Sequence, residues 1–362
     1  MVRAMNKLFI VVDDGSDDAT PDVLANIDMV GLHVLSRRAP YAQRGKGEVL
    51  NHAWRFLHEL LATDERYTGW SPENVVVIVV DADGRLNPNA PHYLAPHFGE
   101  ERTGGVQSQV EIYNRKSLLG LMQHVEFSII GWTFQLARTR WGTANMGGNG
   151  QANRLSALDS VGGRRGPWRD KLTEDQDLGL RLMHVGWHGR HEPRSVISQQ
   201  GVTSLRRLFR QRTRWAQGAW QAISHVRDVE EVRAPLVARA DIVWALILPV
   251  IQLVVACTFV AAVIVAVITD VPFFADVGPV LVFFILLTFV PTFILLAFRA
   301  KGPIGFVSAL ALLIPYTLYT WFLVPTLFRS GFRHMSGVTY WDKTPREPLT
   351  IRARTEEDLE GS

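Results

Sequence analysis

Carboxylate side chains end two of the apolar stretches in the sequence. Asp13 and Asp14 close the stretch that begins at residue 7, and Asp81 and Asp83 close the one that begins at residue 74. Two acids separated by one residue at a strand end suit Mg²⁺ or Mn²⁺, because these cations take few protein oxygens and complete their shell with water and phosphate. The pattern therefore predicts a divalent cation that holds a diphosphate. For either strand end alone, the alternative is an ordinary Asp-Gly turn.

A second group of three acids opens an amphipathic stretch further along the chain, at Glu174, Asp175 and Asp177. Thr173 is the predicted N-cap of a helix there, and the positive end of the helix dipole favours acids in the first turn. The helix dipole and the N-cap account for the presence of one acid in this turn. They do not explain the glycine-rich segment 146–163 that precedes the acids or the motif QRTRW at 211–215 that follows them.

Cationic and aromatic residues lie on both sides of these acids. Lys46 stands between two glycines in the segment RGKGEVLN, and its ammonium is predicted to meet the diphosphate; the alternative is an ordinary loop. The motif QRTRW supplies Gln211, Arg214 and Trp215 shortly before an apolar run. A metal–diphosphate site, a base and a cationic-aromatic segment beside a membrane together indicate group transfer from an activated donor.

A sheet is needed to gather these side chains at one edge. The runs at 7–18 and 74–84 are apolar and β-branched, which is typical of strands buried on both faces of a parallel sheet. The segments 20–27 and 47–62 have helical patterns, and together with the strands they give β-α-β alternation. Ligands of such sheets bind at the carboxyl ends of the strands, so we expect the acids to share one pocket. The predicted fold class is α/β, with a doubly wound, mainly parallel sheet.

The second half of the chain has the composition of a membrane region. Apolar runs at 242–269, 277–298 and 303–328 each exceed the roughly 20 residues that cross a hydrocarbon core. The alternative is a buried core helix, which is rarely so long and so apolar on every side. No secretory signal opens the chain, because acids follow too soon, so the first half is predicted to be cytosolic.

Charge and cysteine content narrow the class of protein further. The net charge of +3 is too small to predict a nucleic-acid partner. Basic residues cluster just before the first apolar run, where they favour the cytosolic face and anionic headgroups. They are Arg206, Arg207, Arg210, Arg212 and Arg214. The only cysteine, Cys257, leaves no disulfide within the chain and no thiolate metal site.

The ordered motifs DDGSDD, GKGEVLN, DAD, GGNGQ, TED and QRTRW resemble those of the membrane-bound family 2 glycosyltransferases. That family includes bacterial cellulose synthase, hyaluronan synthase and poly-N-acetylglucosamine synthase. The resemblance covers residues 8 to 346 and implies a GT-A fold followed by transmembrane helices. It also implies a UDP-sugar donor, a divalent metal and a polysaccharide or lipid acceptor, with an accessory membrane subunit as a further partner.

The resemblance also assigns roles, position by position. It implies that Asp175 is the general base, that Asp83 holds the metal, and that the other motif residues bind the donor and acceptor. On the donor side these are Asp13, Asp14, Lys46 and Asp81, together with Thr344 and Arg346 of a gating-like segment YWDKTPR. On the acceptor and diphosphate side they are Glu174, Gln211, Arg214 and Trp215.

Three readings of the function follow. The first is a processive, inverting synthase that adds glucose or N-acetylglucosamine to a β-linked polysaccharide. The second is a non-processive enzyme that glycosylates a lipid such as diacylglycerol. The third is a catalytically silent membrane subunit or truncated relic, because only about a dozen residues precede Asp13 and the family's leading strand and helices are not among them.

The predicted organisation has four parts. They are a cytosolic GT-A domain at 1–200 that lacks its N-terminal portion, interfacial helices at 201–240, a transmembrane region at 241–328, and a cytosolic gating-like tail at 329–362. The bases of the tail favour the cytosolic side, so two runs are predicted to span the membrane. The third run, which contains Pro315 and Pro325, is predicted to be interrupted and re-entrant or interfacial.

Overall fold

A computed structural model describes residues 6–269, 292–294, 296–297 and 302–338 of the chain. The strands are β1 Phe9–Asp13, β2 Leu32–Ser36, β3 Val76–Ile78, β4 Arg85–Leu86, β5 Thr103–Ile112, β6 Gln151–Arg154 and β7 His188–Gln199. The helices are α1 Thr20–Ala25, α2 Lys46–Thr63, α3 Ala90–Leu94, α4 Leu118–Val125, α5 Trp132–Thr139, α6 Leu155–Val161, α7 Glu174–His184, α8 Leu205–Ala222, α9 Leu236–Thr269 and α10 Gly302–Met335. A π-helical turn, Glu126–Gly131, joins α4 to α5, and a 3₁₀ segment, Ile223–Glu231, follows α8.

The strands form two sheets rather than the single doubly wound layer expected. β1 and β2 pair in parallel, and the other five strands form a mixed sheet in the order β3-β6-β5-β7-β4. The longest ladder, between β5 and β7, is parallel, whereas the shorter β3-β6, β5-β6 and β4-β7 ladders are antiparallel. The α/β class is confirmed. The antiparallel pairing of β6 was not predicted, because this buried strand is short and polar and no apolar run marks it in the sequence.

The first half of the chain is built around an apolar core between the sheet and three helices. Leu57 of α2, Leu155 and Leu158 of α6, and Leu178 and Leu182 of α7 pack together and are almost fully buried. This core fixes the beginning of α2 and the beginning of α7, because each helix is anchored along its length. The predicted helices at 20–27 and 47–62 are confirmed with small shifts of their ends.

Two of the helices, α9 and α10, are long and apolar enough to cross a membrane. Within the residues that the structure describes, the candidate spans are Leu236–Thr258 and Gly305–Met335, and few of their residues are buried. α10 continues without a break through Pro315 and Pro325, so the predicted interruption is not present. Prolines are tolerated in membrane-type helices because neighbouring helices, Ser or Thr side chains and small backbone adjustments satisfy the backbone groups that proline frees. Most of the middle apolar run, 277–298, lies outside the described residues.

Candidate active site

Asp13 is the last residue of β1 and Asp14 follows it, and each carboxylate is paired with an arginine that follows β2. Arg38 Nη1 lies 2.9 Å from Asp13 Oδ2, and Arg37 Nη1 lies 3.2 Å from Asp14 Oδ1. The backbone N–H of Ser16 also donates to Asp13 at 2.9 Å. Hydrogen bonds from Ser16 and Arg38 lower the pKa of Asp13, so this carboxylate is charged and holds the DDGS turn in place.

Lys46 and Asp81 meet where the start of α2 faces the turn after β3. Lys46 Nζ lies 2.5 Å from Asp81 Oδ1 and 3.9 Å from Glu174 Oε1. Burial opposes the charge on Lys46, yet the carboxylates of Asp81, Glu174 and Asp175 raise the pKa of Lys46. Lys46 is therefore a cation surrounded by three acids from two other elements.

Asp81 and Asp83 share a tight turn. The N–H of Gly84 donates to the carbonyl of Asp81 at 2.7 Å, and the Asp81 N–H donates to Asn149 Oδ1 at 3.1 Å. Asp83 is half-buried, and its Oδ2 atom is shielded from solvent within the turn. Carboxylates two positions apart in one turn supply the hard oxygen ligands that Mg²⁺ and Mn²⁺ prefer, so the residue types of this turn fit a divalent cation.

The glycine-rich loop 147–150 packs against Asp175 and Lys46. Gly148 has a φ of 76°, and a Cβ built on it would lie 2.7 Å from Asp175 Oδ2 and 3.3 Å from Lys46 Nζ. Any larger residue would therefore be strained and would collide with the acid. Gln107 of β5 holds the loop, because it accepts from the Gly147 N–H at 2.7 Å and donates to the Asn149 carbonyl at 2.8 Å.

Glu174 and Asp175 occupy the first turn of α7. Burial and the neighbouring Asp175 carboxylate raise the pKa of Glu174 to about 7, against the opposing charges of Lys46 and Arg214. Burial also raises the pKa of Asp175. The backbone N–H of Gln176 donates to Asp175 Oδ1 at 2.9 Å, which orients the carboxylate. A carboxylate whose pKa is raised above its ordinary value is a stronger base, which suits general base chemistry.

The expected capping by Thr173 is only partly correct. Thr173 occupies the N-cap position, but its side chain makes no capping hydrogen bond. Instead it packs against α8, where a Cβ built on Gly218 would lie 2.4 Å from Thr173 Cγ2. The side chain of Gln221 accepts from the Leu172 N–H at 3.1 Å. The start of α7 is therefore fixed by α8.

Asp177 has a structural role, unlike its neighbours Glu174 and Asp175. Its carboxylate lies 2.7 Å from Arg181 Nε and 3.1 Å from His225 Nε2. Although burial opposes it, the hydrogen bond from His225 and the charge of Arg181 lower the pKa of Asp177 to about 2. This acid ties α7 to the segment after α8.

The motif QRTRW lies on α8, as expected for a helix. Gln211 is buried, and within the described part of the chain its Oε1 has no hydrogen-bond partner. Arg214 is close enough to Glu174 to lower its pKa. The ring of Trp215 packs under the Arg212 guanidinium at 4.3 Å and against the edge of Phe127 at 6.1 Å. One face of Trp215 is therefore already covered.

The remaining residue of this motif, Arg212, links three helical segments. It donates to both carboxylate oxygens of Glu126 at 2.7 and 2.6 Å, and to the Tyr319 hydroxyl at 2.9 Å. The Tyr319 hydroxyl in turn donates to Glu126 at 2.7 Å. Glu126 begins the π-helical turn, so the network joins that turn to α8 and α10. No local sequence pattern predicts this network, because Glu126 and Tyr319 lie 86 and 107 positions from Arg212.

The structure thus brings together one group of the predicted site residues. The group that contacts or electrostatically influences one another comprises Lys46, Asp81, Glu174, Asp175 and Arg214. Asp83 shares the turn of Asp81. Asp13 and Asp14 end the neighbouring sheet and contact arginines instead. Gln211 and Trp215 lie on the same helix as Arg214, and Thr344 and Arg346 lie outside the described residues.

Sequence reasoning missed Gln107, Asn149 and Gln199, which form the support of the glycine loop. Asn149 Nδ2 donates to Gln199 Oε1 at 2.9 Å, while Asn149 Oδ1 accepts from Asp81. Asn149 was visible as the polar residue inside GGNGQ. Gln107 and Gln199 lie in strands, and their polarity within a buried sheet was the available signal.

Known proteins similar to this chain are glycosyltransferases. The family model described as Glycosyl transferase family group 2 matches residues 76–324. The beta-monoglucosyldiacylglycerol synthase of Trichormus variabilis is 31% identical over 215 residues, which cover 58% of this chain and 42% of that protein. The poly-beta-1,6-N-acetyl-D-glucosamine synthase of Staphylococcus epidermidis is 26% identical over 220 residues, which cover 60% of this chain and 48% of that protein. The chain spans about half the length of these curated relatives.

A solved structure shows the same fold. The mannosyltransferase PcManGT from Pyrobaculum calidifontis, in complex with GDP-Man and Mn²⁺, aligns with a TM-score of 0.58 at 18% identity. The alignment covers 91% of this chain and 78% of that one. The predicted GT-A architecture is therefore confirmed.

Proposed function

The chain belongs to glycosyl transferase family group 2, and from this membership we propose that it transfers a sugar from a UDP-sugar to an acceptor hydroxyl at a membrane. The observation that carries the proposal is the cluster in which Lys46, Asp81, Glu174 and Asp175 meet around the Gly148 loop. Such a cluster joins a base to a cation that can bind a leaving diphosphate.

On the donor side, Asp13 and Asp14 are proposed to contact the nucleoside. Lys46 and Asp81 would receive the diphosphate. Without donor, Lys46 neutralises Asp81, and a diphosphate would compete for that ammonium. Mg²⁺ or Mn²⁺, held by Asp83, would supply positive charge for the leaving diphosphate.

The chemical step is a single displacement. The acceptor oxygen attacks the anomeric carbon, the bond from that carbon to the diphosphate oxygen breaks, and Asp175 takes the hydroxyl proton. Attack from the face opposite UDP inverts the anomeric configuration. Lys46 and Arg214 stabilise the negative charge that develops on the diphosphate. Burial that raises the pKa of Asp175 makes its carboxylate a stronger base at neutral pH.

Residues of α8 are proposed to line the acceptor side of the pocket. Gln211 presents a buried side-chain oxygen with no partner among the described residues, which suits an acceptor or diphosphate contact. Trp215 has one face against Arg212, so a sugar ring would use the other face or edge. Thr344 and Arg346 are proposed to reach the donor from the tail.

A growing β-linked polysaccharide of glucose or N-acetylglucosamine units is the first acceptor we propose. Its support is the QRTRW helix, which packs directly on the acidic start of α7 through Gly218 and Thr173. An enzyme that extends a polymer must hold the chain end beside the base. The similarity to poly-beta-1,6-N-acetyl-D-glucosamine synthase agrees with this acceptor.

A lipid such as diacylglycerol is the second acceptor. The specific observation in its favour is the higher identity, 31%, to beta-monoglucosyldiacylglycerol synthase. The catalytic residues would be the same, because only the acceptor hydroxyl changes. A silent membrane subunit is the third reading; the intact cluster of Lys46, Asp81 and Asp175 argues against it.

The proposed location is a cell membrane, with several spans and the catalytic domain in the cytosol. The proposed division is a catalytic domain at 1–200, interfacial helices at 201–240, a membrane region at 241–328 and a cytosolic tail at 329–362. The described helices support this division with shifted limits, because α9 begins at Leu236 and α10 ends at Met335.

Product size separates the two acceptors. Membranes containing the chain, with Asp175→Asn as the matched inactive variant, would be incubated with labelled UDP-glucose or UDP-N-acetylglucosamine. A polymer is expected to remain insoluble after lipid extraction, whereas a glycolipid would enter the organic phase with one sugar. Absence of either product and of UDP release would support the silent subunit instead.

A further inference from the structure

A second cluster of potential ligands lies at the far end of the helix that carries the catalytic acids. His184 is the last residue of α7, and His225 and Asp228 lie in the 3₁₀ segment after α8. One ligand atom from each of the three lies within 4.8 Å of the others. None of the three belongs to the cluster of Lys46, Asp81, Glu174, Asp175 and Arg214.

The hydrogen bonding of His225 leaves one ring nitrogen available for a ligand. His225 is 6% exposed, and its Nε2 lies 3.1 Å from a carboxylate oxygen of Asp177. Arg181 holds Asp177 as a carboxylate, so Asp177 accepts and the proton of a neutral His225 is on Nε2. Nδ1 then carries a lone pair, and it is buried with no partner among the described residues. A carboxylate that orients a histidine in this way is typical of metal-binding histidines.

His184 offers the second nitrogen. Its ring centroid lies 5.3 Å from that of His225, and its Nε2 is likewise buried without a hydrogen-bond partner in the described ranges. Burial lowers the pKa of His184, which keeps the ring in the neutral form that binds metals. Two buried, unpartnered ring nitrogens are costly unless a ligand satisfies them.

Asp228 completes the set. It is only partly buried, so a cation has access to the cluster from solvent and a water molecule can take a fourth position. Two imidazole nitrogens and one carboxylate suit Zn²⁺, which accepts nitrogen and oxygen ligands in tetrahedral sites. Ligand atoms of such a site are about 3.4 Å apart, so side-chain rotations of modest size would close it.

We propose that His184, His225 and Asp228 bind a Zn²⁺ ion that fastens the end of α7 to the segment leading into α9. The apolar residues around the cluster already join the same elements: Leu180 and Met183 of α7 pack with Val229, Ile242 and Leu246. The ion would add a link between the catalytic helix and the first candidate membrane helix. It is distinct from the cation at Asp83, because it lies at the opposite end of α7.

The proposal is tested with zinc alone, on the full chain in detergent and without nucleotide. Competition with a chromophoric chelator measures affinity, and thermal melting measures stabilisation. We expect the wild-type chain to bind zinc and to melt at a higher temperature when zinc is present. His184→Gln, His225→Gln and Asp228→Asn should each weaken zinc binding by at least about tenfold and reduce the shift.

Two further variants make the result specific. His188→Gln changes a histidine four positions from His184 that contacts Glu100, and it should bind zinc like the wild type. Asp83→Asn should also retain the site, which separates it from the cation of the donor pocket. If a histidine variant fails to fold, the partly exposed Asp228→Asn still reports the effect. Equal zinc affinity in the wild type and the three ligand variants, or no zinc binding by the wild type, would overturn the proposal.

Discussion

At the residue scale, three carboxylates share one ammonium group before any donor binds. Asp81 and Glu174 lie 2.5 and 3.9 Å from Lys46 Nζ, and Asp175 also raises the pKa of that lysine. The surplus of negative charge and the burial together keep the pKa of Glu174 near 7. A donor that arrives with a divalent cation would relieve this surplus, because the cation brings the missing positive charge.

Asp175→Asn is predicted to leave UDP affinity within about twofold and to lower kcat by a factor of about 10² to 10⁴, since the amide keeps the shape of the side chain but cannot accept the proton. Isothermal titration with UDP and initial rates of UDP release would measure the two effects. Asp170→Asn, an exposed acid five positions earlier, is the matched control and should keep its rate. A wild-type rate in Asp175→Asn would remove Asp175 from the role of base.

The pH dependence provides a second prediction at this scale. Burial raises the pKa of Glu174 to about 7 and also raises the pKa of Asp175, so the protonated forms of both acids persist to higher pH than in ordinary carboxyl groups. Because the base must be deprotonated, kcat/KM should fall on acidification at a higher pH than an ordinary aspartate would give. Glu174→Gln removes a neighbouring negative charge, so the acidic limb should move to lower pH. A wild-type limb below about pH 5, the range of ordinary carboxyl groups, would contradict this account.

At the element scale, two helices are fixed to each other by a close approach of small groups. Gly218 of α8 faces Thr173 at the start of α7, and the Leu172 N–H bonds to Gln221. This contact sets the distance between the acids of α7 and Arg214 of α8. The glycine is therefore a positioning residue rather than a catalytic one.

Gly218→Ala is predicted to lower kcat by about tenfold and stability by about 1–3 kcal/mol, because the added methyl group would overlap Thr173 and push the helices apart. Initial rates and denaturant unfolding in detergent would measure both. Gly331→Ala on α10 is the matched control, since its Cβ would meet its nearest neighbour at an ordinary 3.5 Å. Equal rates in the two variants would argue against a positioning role for the contact.

The network of Glu126, Arg212 and Tyr319 holds the π-helical turn, α8 and α10 together. Glu126→Ala leaves a buried guanidinium without its carboxylate and should cost about 3 kcal/mol, whereas Tyr319→Phe removes one hydroxyl and should cost about 1 kcal/mol. Unfolding in detergent would measure the loss of stability in each variant and so rank the two substitutions. Arg206→Ala, at an exposed position, is the neutral control. Equal, negligible effects of the first two variants would show that the network does not hold the helices.

Local patterns predicted much of the first half of the fold. β1, α1 and α2 follow from apolar periodicity and from Pro21 near the start of α1, and the acids at the strand ends follow from the same runs. The mixed sheet could not be predicted, because β6 is polar and its neighbours are set by pairing across the chain. The Gln107–Asn149–Gln199 support and the Arg212 network depend on contacts between distant segments, which no local pattern encodes.

At the scale of the whole molecule, a catalytic α/β domain is joined to two long apolar helices within the residues that the structure describes. The resemblance inferred from the ordered motifs is confirmed by the family match over residues 76–324. α8 links the two regions, since one of its faces meets α7 and another meets α10. The acids therefore lie one helix away from a helix able to enter the bilayer.

The orientation of the tail follows as a prediction at this scale. With Cys257 replaced by serine, Thr350→Cys should be labelled by an impermeant thiol reagent only after the membrane of intact cells is opened. The reason is that Thr344 and Arg346 must share the donor's side of the membrane, and the bases of the tail favour the cytosol. Labelling of intact cells from outside would contradict the proposed topology.

The central claim is that the clustered acids and Lys46 perform inverting sugar transfer. The most direct test is to incubate the full chain in membranes with an α-linked UDP-sugar and Mn²⁺, and to determine the anomeric configuration of the product by NMR while measuring UDP release. The account predicts a β-linked product, formed with one UDP per sugar and lost in Asp175→Asn. An α-linked product, or transfer that persists in Asp175→Asn, would contradict it.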